Sequence, residues 1–494
     1  MMLGSFTALV IGFTAITLKI SSAAMSDMPN FVFVMADDYG WGDVGYNNGT
    51  ADTPNLDAMA FGQHSLRLQR YYSGGPVCSP TRGTVLTGRN HNRYCVWSAN
   101  AGGNSPDFKI PETMPLPTSE FTVAEALKKE NYATGLFGKW HLGDFRKLPK
   151  GNKKWPVSHP GMHGFDTWLA TERSAPTATL NCGCFNQSDC IKGHYSNETF
   201  PCTNYWTIDQ KNSLNNVTTL EDGDDSQFIL DHVEDFIKSA VKNNKPFFVY
   251  VPLHAVHIKY IAVAPYKSMY SKKGYDQNHT DYYGAITAMD AQVGRLRKLL
   301  EDLEVQNNTL LWFASDNGPE HHTPGMTNGL RGRKRDLTEG GIRVPGIIEW
   351  PARVKKNRVV QSPVVSSDLM PTVLDILNLS MPDKRPVDGV SVLPVIEQKS
   401  QSRPRPAGFA YRVPGNFNGT YNAAWVDNRY KIFALYKNGV VSESYLYDLG
   451  NDMAETTDLS SKMPQLKTKM LDEMEEWRQT VIISAHGIGC LSKS

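Results

Sequence analysis

Asn30-Phe31-Val32-Phe33-Val34-Met35-Ala36 is an unbroken apolar run of strand length, and it ends on two adjacent carboxylates, Asp37-Asp38. The run lacks in-and-out alternation, so it suits a strand covered on both faces, as in the middle of a parallel sheet. Three further runs share this pattern. Ala133-Thr134-Gly135-Leu136-Phe137 leads into Gly138-Lys139-Trp140-His141, Phe247-Phe248-Val249-Tyr250-Val251 leads to His254 and His257, and Thr309-Leu310-Leu311-Trp312-Phe313-Ala314 leads to Asp316-Asn317. Open α/β sheets bind ligands outside the carboxyl ends of their strands, so the four polar clusters are expected to converge on one crevice.

Helical segments separate these runs. Thr122-Val123-Ala124-Glu125 forms a capping box that opens a helix, with Asn131 as its left-handed C-cap. Residues 285–303 alternate apolar and charged side chains at helical spacing ahead of the Thr309 run. The fold class is therefore α/β. Near residue 400 the texture changes: Ser402-Arg403-Pro404-Arg405-Pro406 reads as a linker, followed by short strand-like runs at 423–426, 430–436 and 444–447 and a closing helix from 463 to about 481. These predict a main domain over 25–400 and a smaller antiparallel sheet with one helix over 401–494.

The 494 residues are 40% hydrophobic and 20% charged, with a formal net charge of +1. Length and composition allow one large domain plus a small one. No basic stripe stands out, which argues against a nucleic-acid partner and leaves any anion binding local. Residues 6–18 are apolar and Ser22-Ala23-Ala24 offers a small-residue cleavage site, a pattern that reads as a secretory signal peptide over 1–24. The apolar stretch is too short for a bilayer core that needs about 20 residues, so no stable membrane span is expected. N-x-S/T sequons at Asn48, Asn186, Asn197, Asn216, Asn278, Asn307, Asn378 and Asn418 agree with export and glycosylation. Of the 7 cysteines, Cys95, Cys182, Cys184, Cys190, Cys202 and Cys490 remain once Cys78 is set aside, an even number available for disulfides. Zinc is the other reading of the Cys182–Cys202 group, but its spacing lacks paired C-x-x-C units.

Cys78-Ser79-Pro80-Thr81-Arg82, with Leu86-Thr87-Gly88-Arg89 after it, follows the Gly/Pro loop Tyr72-Ser73-Gly74-Gly75-Pro76-Val77. The loop breaks regular structure, and a helix starting at Cys78 would turn unpaired N–H groups toward an anion there. The segment resembles the C-x-P-x-R-x-x-x-L-T-G signature of the type I sulfatases, members of the alkaline phosphatase superfamily. Asp37-Asp38, Gly138-Lys139-Trp140-His141, Ser315-Asp316-Asn317-Gly318, Lys334 with Glu339-Gly340-Gly341, and Tyr445-Leu446-Tyr447-Asp448-Leu449 through Glu455 resemble that family's motifs in the family's order.

The resemblance implies a large, mostly parallel sheet sandwiched by helices, alkaline phosphatase-like, and hydrolysis of a sulfate ester of a carbohydrate or an aryl alcohol. It implies that Cys78 is oxidised by a formylglycine-generating enzyme to formylglycine, whose hydrate attacks sulfur. Asp37, Asp38, Asp316 and Asn317 offer only oxygen ligands, which suits a hard cation, and the family implies one Ca²⁺ shared with the Cys78 group. Arg82 would orient the hydrate, Lys139 and Lys334 would neutralise sulfate oxygens, His257 would protonate the leaving alcohol, and His141 would assist release of sulfate. Two positions stay open. His254-Ala255-Val256-His257-Ile258 leaves either histidine as the acid, and Arg331-Gly332-Arg333-Lys334-Arg335 leaves Arg333 beside Lys334. A phosphodiesterase or phosphonate hydrolase of the same superfamily, and a catalytically silent, secreted glycan-binding member, are the competing readings. The implied location is secreted or lysosomal, and the particular sugar is not legible.

Overall fold

The computed structural model describes residues 28–99, 114–145, 157–179, 205–208, 214–217, 223–411 and 419–488. The expected signal peptide, the cysteines at 182, 184, 190, 202 and 490, and the sequons at Asn186, Asn197 and Asn418 lie outside the described residues.

The strand Asn30–Ala36 sits in the centre of a ten-stranded sheet, paired in parallel with Phe247–Pro252 on one side and Thr309–Ser315 on the other. Ala133–Lys139 and Thr167–Thr171 continue the parallel centre. Gly346–Glu349 joins antiparallel beyond Thr309–Ser315, and Tyr205–Ile208 and Leu214–Val217 do so on the opposite flank. The sheet is thus mixed, with a parallel middle that carries all four of the polar-ended runs.

The unbroken apolar character of these runs has a simple cause. Phe31, Phe33 and Met35 point into one core layer, with Val123, Leu127, Leu369 and Val373 from the helices Val123–Lys129 and Leu369–Ile376. Val32 and Val34 point into the opposite layer, with Ile229, Val233, Ile286 and Met289 from the helices Asp225–Lys242 and Gln277–Asp302. Each such side chain contributes about 1.5–3 kcal/mol by leaving water, so a polar residue on either face would be costly. The capping box forms as expected: Thr122 Oγ1 accepts from the Glu125 N–H and Glu125 Oε2 accepts from the Thr122 N–H. Asn131 takes a φ of 63°. The helix expected over 285–303 instead spans Gln277–Asp302, because Asp276 caps it by accepting from the His279 N–H.

Beyond the Ser402–Pro406 stretch, Ala407–Tyr411, Thr420–Val426, Tyr430–Lys437 and Val440–Asp448 form an antiparallel sheet in chain order. The helix Pro464–Ile488 covers one face of it through Met470, Met474 and Val481. Phe409, Ala424, Phe433 and Tyr447 on the other face pack against Tyr72, Leu337, Ile342 and Val365 of the larger unit. A sealed charge cluster lies in this seam. Lys431 Nζ sits 3.0 Å from Glu339 Oε1 and 2.9 Å from Glu455 Oε1, while Glu455 Oε2 accepts from the Glu339 N–H.

The Glu339-Gly340-Gly341 turn is also wedged against the strand end that carries Asp316. The Gly318 N–H donates to the Gly341 carbonyl, and the Gly340 N–H donates to that of Arg331. A Cβ at Gly318 would stand 2.0 Å from the Gly340 carbonyl oxygen, so only glycine fits there.

Candidate active site

The carboxyl ends of the four central strands bring their polar clusters together. Asp37 and Asp38 follow Asn30–Ala36, and Asp38 holds a left-handed φ of 57°. Lys139 is the last residue of Ala133–Lys139, and Asp316-Asn317 follow Thr309–Ser315. Cys78 opens the wholly buried helix Cys78–Thr87 after an extended Val77, the placement that the Gly/Pro loop predicts.

Two lysines and an arginine meet three carboxylates at this point. Lys139 Nζ donates to Asp37 Oδ2 and Lys334 Nζ to Asp38 Oδ2, each at 2.6 Å. Arg82 Nη2 donates to Asp316 Oδ2 at 2.7 Å and lies 3.4 Å from Asp37 Oδ2, while its Nη1 donates to the Lys139 carbonyl. Cys78 Sγ is 3.5 Å from Asp37 Oδ1 and 4.0 Å from Asp38 Oδ1. His257 Nε2 lies 3.6 Å from Asp38 Oδ2. His141 is buried beside these groups, with its Nδ1 lacking a hydrogen-bond partner among the described residues.

Electrostatics separates the carboxylates. Burial pushes Asp37 up, but Lys139, His257 and Arg82 outweigh it and hold the group well below the usual carboxylate range. Asp316 is pushed up to about 6 by burial and by its neighbour Asp37, against the pull of Arg82. Burial and the carboxylates of Asp316 and Asp37 push the Cys78 thiol well above its ordinary value. An unmodified Cys78 is therefore held as a neutral thiol, a poor nucleophile in its own right. Burial and Lys334 push His257 down to about 4.

The site holds a group of donors able to bind a metal ion. Asp37, Asp38, Cys78 and His257 each present a ligand atom within 4.8 Å of the others. Asn317 Nδ2 donates to Asp38 Oδ1 at 2.6 Å, yet its Oδ1 is buried without a hydrogen-bond partner among the described residues. An orphan amide oxygen beside clustered carboxylates is what an oxygen-coordinated cation would satisfy. Asp316 is more engaged than the sequence suggests, since its Oδ1 accepts from the Asp38 N–H and its Oδ2 holds Arg82.

The two open positions differ in their surroundings. His254 is sealed, its Nδ1 2.8 Å from Asp225 Oδ2 and its Nε2 2.9 Å from Thr171 Oγ1, so both ring nitrogens serve the interior. His257 is partly exposed and faces Asp38. Arg333 turns away, donating to the carbonyls of Glu320, Thr323 and Gly325. Lys334 is the cation that reaches the centre. The sequence reading missed Glu320, which lies 3.4 Å from Lys334 Nζ and also pairs with Arg335. The available signal was a carboxylate three residues past Asn317, at the same strand end.

The sulfatase family model matches residues 29–379, and a model described as N-sulphoglucosamine sulphohydrolase, C-terminal, matches 332–480. Arylsulfatase G of Rattus norvegicus is 28% identical over 488 residues, 91% of this chain and 86% of its own. N-acetylgalactosamine-6-sulfatase of Homo sapiens is 31% identical over 380 residues, 75% of this chain and 66% of its own. The crystal structure of Ps i-CgsB superposes with a TM-score of 0.75 at 26% identity, covering 92% of this chain and 93% of that one, and a second structure of it is a complex with k-i-k-neocarrahexaose.

Proposed function

The chain belongs to the sulfatase family and is a sulfatase, and from that premise we propose that it removes sulfate from a sulfated carbohydrate by way of a formylglycine made from Cys78. The observation that carries this reading is Cys78 buried at a helix start, 3.5 Å from Asp37, between two lysines each bound to a carboxylate. Asp37, Asp38, Asp316 and Asn317 would hold one Ca²⁺ together with the modified residue. Formylglycine supplies the nucleophilic oxygen and the cation supplies charge that favours its ionised form.

The remaining work falls to this chain's own side chains. Lys139 and Lys334 would bind and neutralise sulfate oxygens, and Arg82, anchored on Asp316, would orient the modified residue. The His257 Nδ1–H donates to the Ile258 carbonyl, which leaves Nε2 as the nitrogen that takes up a proton and gives it to the departing alcohol. His141, whose buried Nδ1 has no partner among the described residues, would assist sulfate release. A sugar substrate is supported by the name N-acetylgalactosamine-6-sulfatase and by the neocarrahexaose bound in the Ps i-CgsB complex, while the name arylsulfatase G keeps an aryl sulfate among the substrates to be assayed.

Export belongs to the same reading: a signal peptide over 1–24, a catalytic unit over 25–400, a C-terminal unit over 401–494, glycans on exposed asparagines such as Asn48 and Asn307, and a secreted or lysosomal location. Among the described residues no helix is long and apolar enough to cross a membrane. The test is mass spectrometry of the Cys78 peptide combined with assays on sulfated monosaccharides, an aryl sulfate and a phosphate diester. The expected result is a peptide lighter than the thiol form and release of sulfate. An intact thiol in fully active protein, or faster hydrolysis of the diester than of every sulfate ester, would overturn the reading.

A further inference from the structure

Arg335 holds a backbone conformation that an arginine rarely takes. Its φ is 77°, in the left-handed region where a Cβ crowds the following carbonyl and where glycine would sit without strain. Neighbours hold it there. The Arg335 N–H donates at 2.9 Å to the carbonyl of Pro76, in the loop that leads into Cys78, and the adjoining turn is closed by the Asp336 N–H on the Arg333 carbonyl. A strained non-glycine residue beside a reacting centre points to a task for its side chain.

The side chain is partly exposed and lies beside the site. Arg335 follows Lys334, whose Nζ reaches Asp38, and the carboxylates of Glu320 and Asp38 both act on its charge. Its Nη1 pairs with Glu320, the carboxylate that also approaches Lys334, which fixes one edge of the guanidinium. Nε and Nη2 make no hydrogen bond with any described residue, and the side chain is 35% exposed. A planar cation anchored on one edge, with two parallel donors left open, matches the geometry that binds carboxylate or sulfate in two-point fashion.

We propose that Arg335 is a specificity-determining residue that receives a second anionic group of the substrate, a carboxylate or a further sulfate, next to the sulfate that is cleaved. This rests on the sulfatase reading of the same site. Substrates with a single charge meet only Lys139, Lys334 and the central groups, whereas a second anion engages Arg335 as well.

The test is titration calorimetry on Cys78→Ala protein, which reads binding whether or not turnover occurs, with and without Arg335→Gly. Three probes are compared: N-acetylgalactosamine 6-sulfate, N-acetylgalactosamine 4,6-disulfate, and a disaccharide in which the 6-sulfated sugar is joined to glucuronate. At least one doubly charged probe is expected to bind more tightly than the monosulfate, and Arg335→Gly should cut that preference about tenfold, as loss of a charge-assisted pair implies. The probe that loses the preference identifies the second anion as sulfate or carboxylate. Glycine accepts a φ of 77° freely, and this relief offsets part of the loss of the Glu320 pair, so the variant should stay folded. Equal weakening of all three probes, or no preference to lose, in a folded variant would overturn the proposal. Failure of the unsubstituted protein to cleave any sulfate ester while the preference persists would instead count against the sulfatase chemistry alone.

Discussion

Lys139 Nζ lies 2.6 Å from Asp37 Oδ2, and neither side chain reaches solvent. The pair joins the ends of two strands that are not adjacent in the sheet, Ala133–Lys139 and Asn30–Ala36, across the Phe247–Pro252 strand between them. It therefore both braces the crevice and sets its charge.

Lys139→Met should lower stability and activity together. Removing one partner of a buried pair leaves the other charge uncompensated, at about 3–5 kcal/mol, and loss of a preorganised charge raises a reaction barrier by about 2.7–4 kcal/mol. The expected outcome is a fall in kcat/KM of roughly 10²–10³-fold on an aryl sulfate, with a lower Tm. Lys139→Arg, which keeps the charge, should retain most of the stability. A variant Lys139→Met with normal kinetics would remove this lysine from sulfate binding.

The two histidines after Phe247–Pro252 should separate by type of assay. His257→Ala is expected to slow esters of alkyl alcohols far more than aryl sulfates, because a good leaving group needs little protonation. His254→Asn should instead lower Tm, since it strips a partner from buried Asp225. Similar losses on both classes of ester in His257→Ala would take the acid role away from it.

Acid should weaken the fold through two buried histidines, His91 and His163, that take no part in the site. Burial pushes His91 down to about 4 and His163 down to about 3, so both are neutral in the folded chain. An unfolded histidine titrates near 6.5. The stability from these groups is complete above that value and is lost as pH falls from 6.5 toward 4 and 3, roughly 2 kcal/mol for each at pH 5. Melting curves at pH 7.5 and pH 5.0 should show a smaller drop for His91→Gln than for the parent. An equal drop would place the acid sensitivity elsewhere.

Lys431→Met should destabilise the seam between the two units by about 3–5 kcal/mol, because Glu339 and Glu455 would lose the cation they share and stay in a dry interior only uncompensated or by taking up a proton. A triple change that also replaces both glutamates by glutamine should recover part of this loss. Denaturant unfolding would measure both, and a tolerated single substitution would mean that water reaches the cluster.

The central strands could be read from sequence because they are buried on both faces, which removes alternation and leaves apolar runs such as 30–36 and 309–314. Their polar ends followed from the carboxyl-end rule. The antiparallel flanks were not legible: Gly346–Glu349 is only four residues long and takes its place from pairing with the distant Thr309–Ser315. The histidines could not be ranked by spacing, since the partner that occupies His254 is Asp225, 29 residues away. Lys431 and Glu339 are 92 residues apart, and nothing local to either marks the pair.

No side chain fits between Gly318 and the Gly340 carbonyl, so the strand end bearing Asp316 and the loop bearing Lys334 cannot drift independently as the sequence diverges. An enlargement on one side would have to be answered at once by a retreat on the other, and a retreat would carry Lys334 off Asp38. Descendants of this chain can acquire new substrates through the rim, but the spacing of the centre is locked against gradual change.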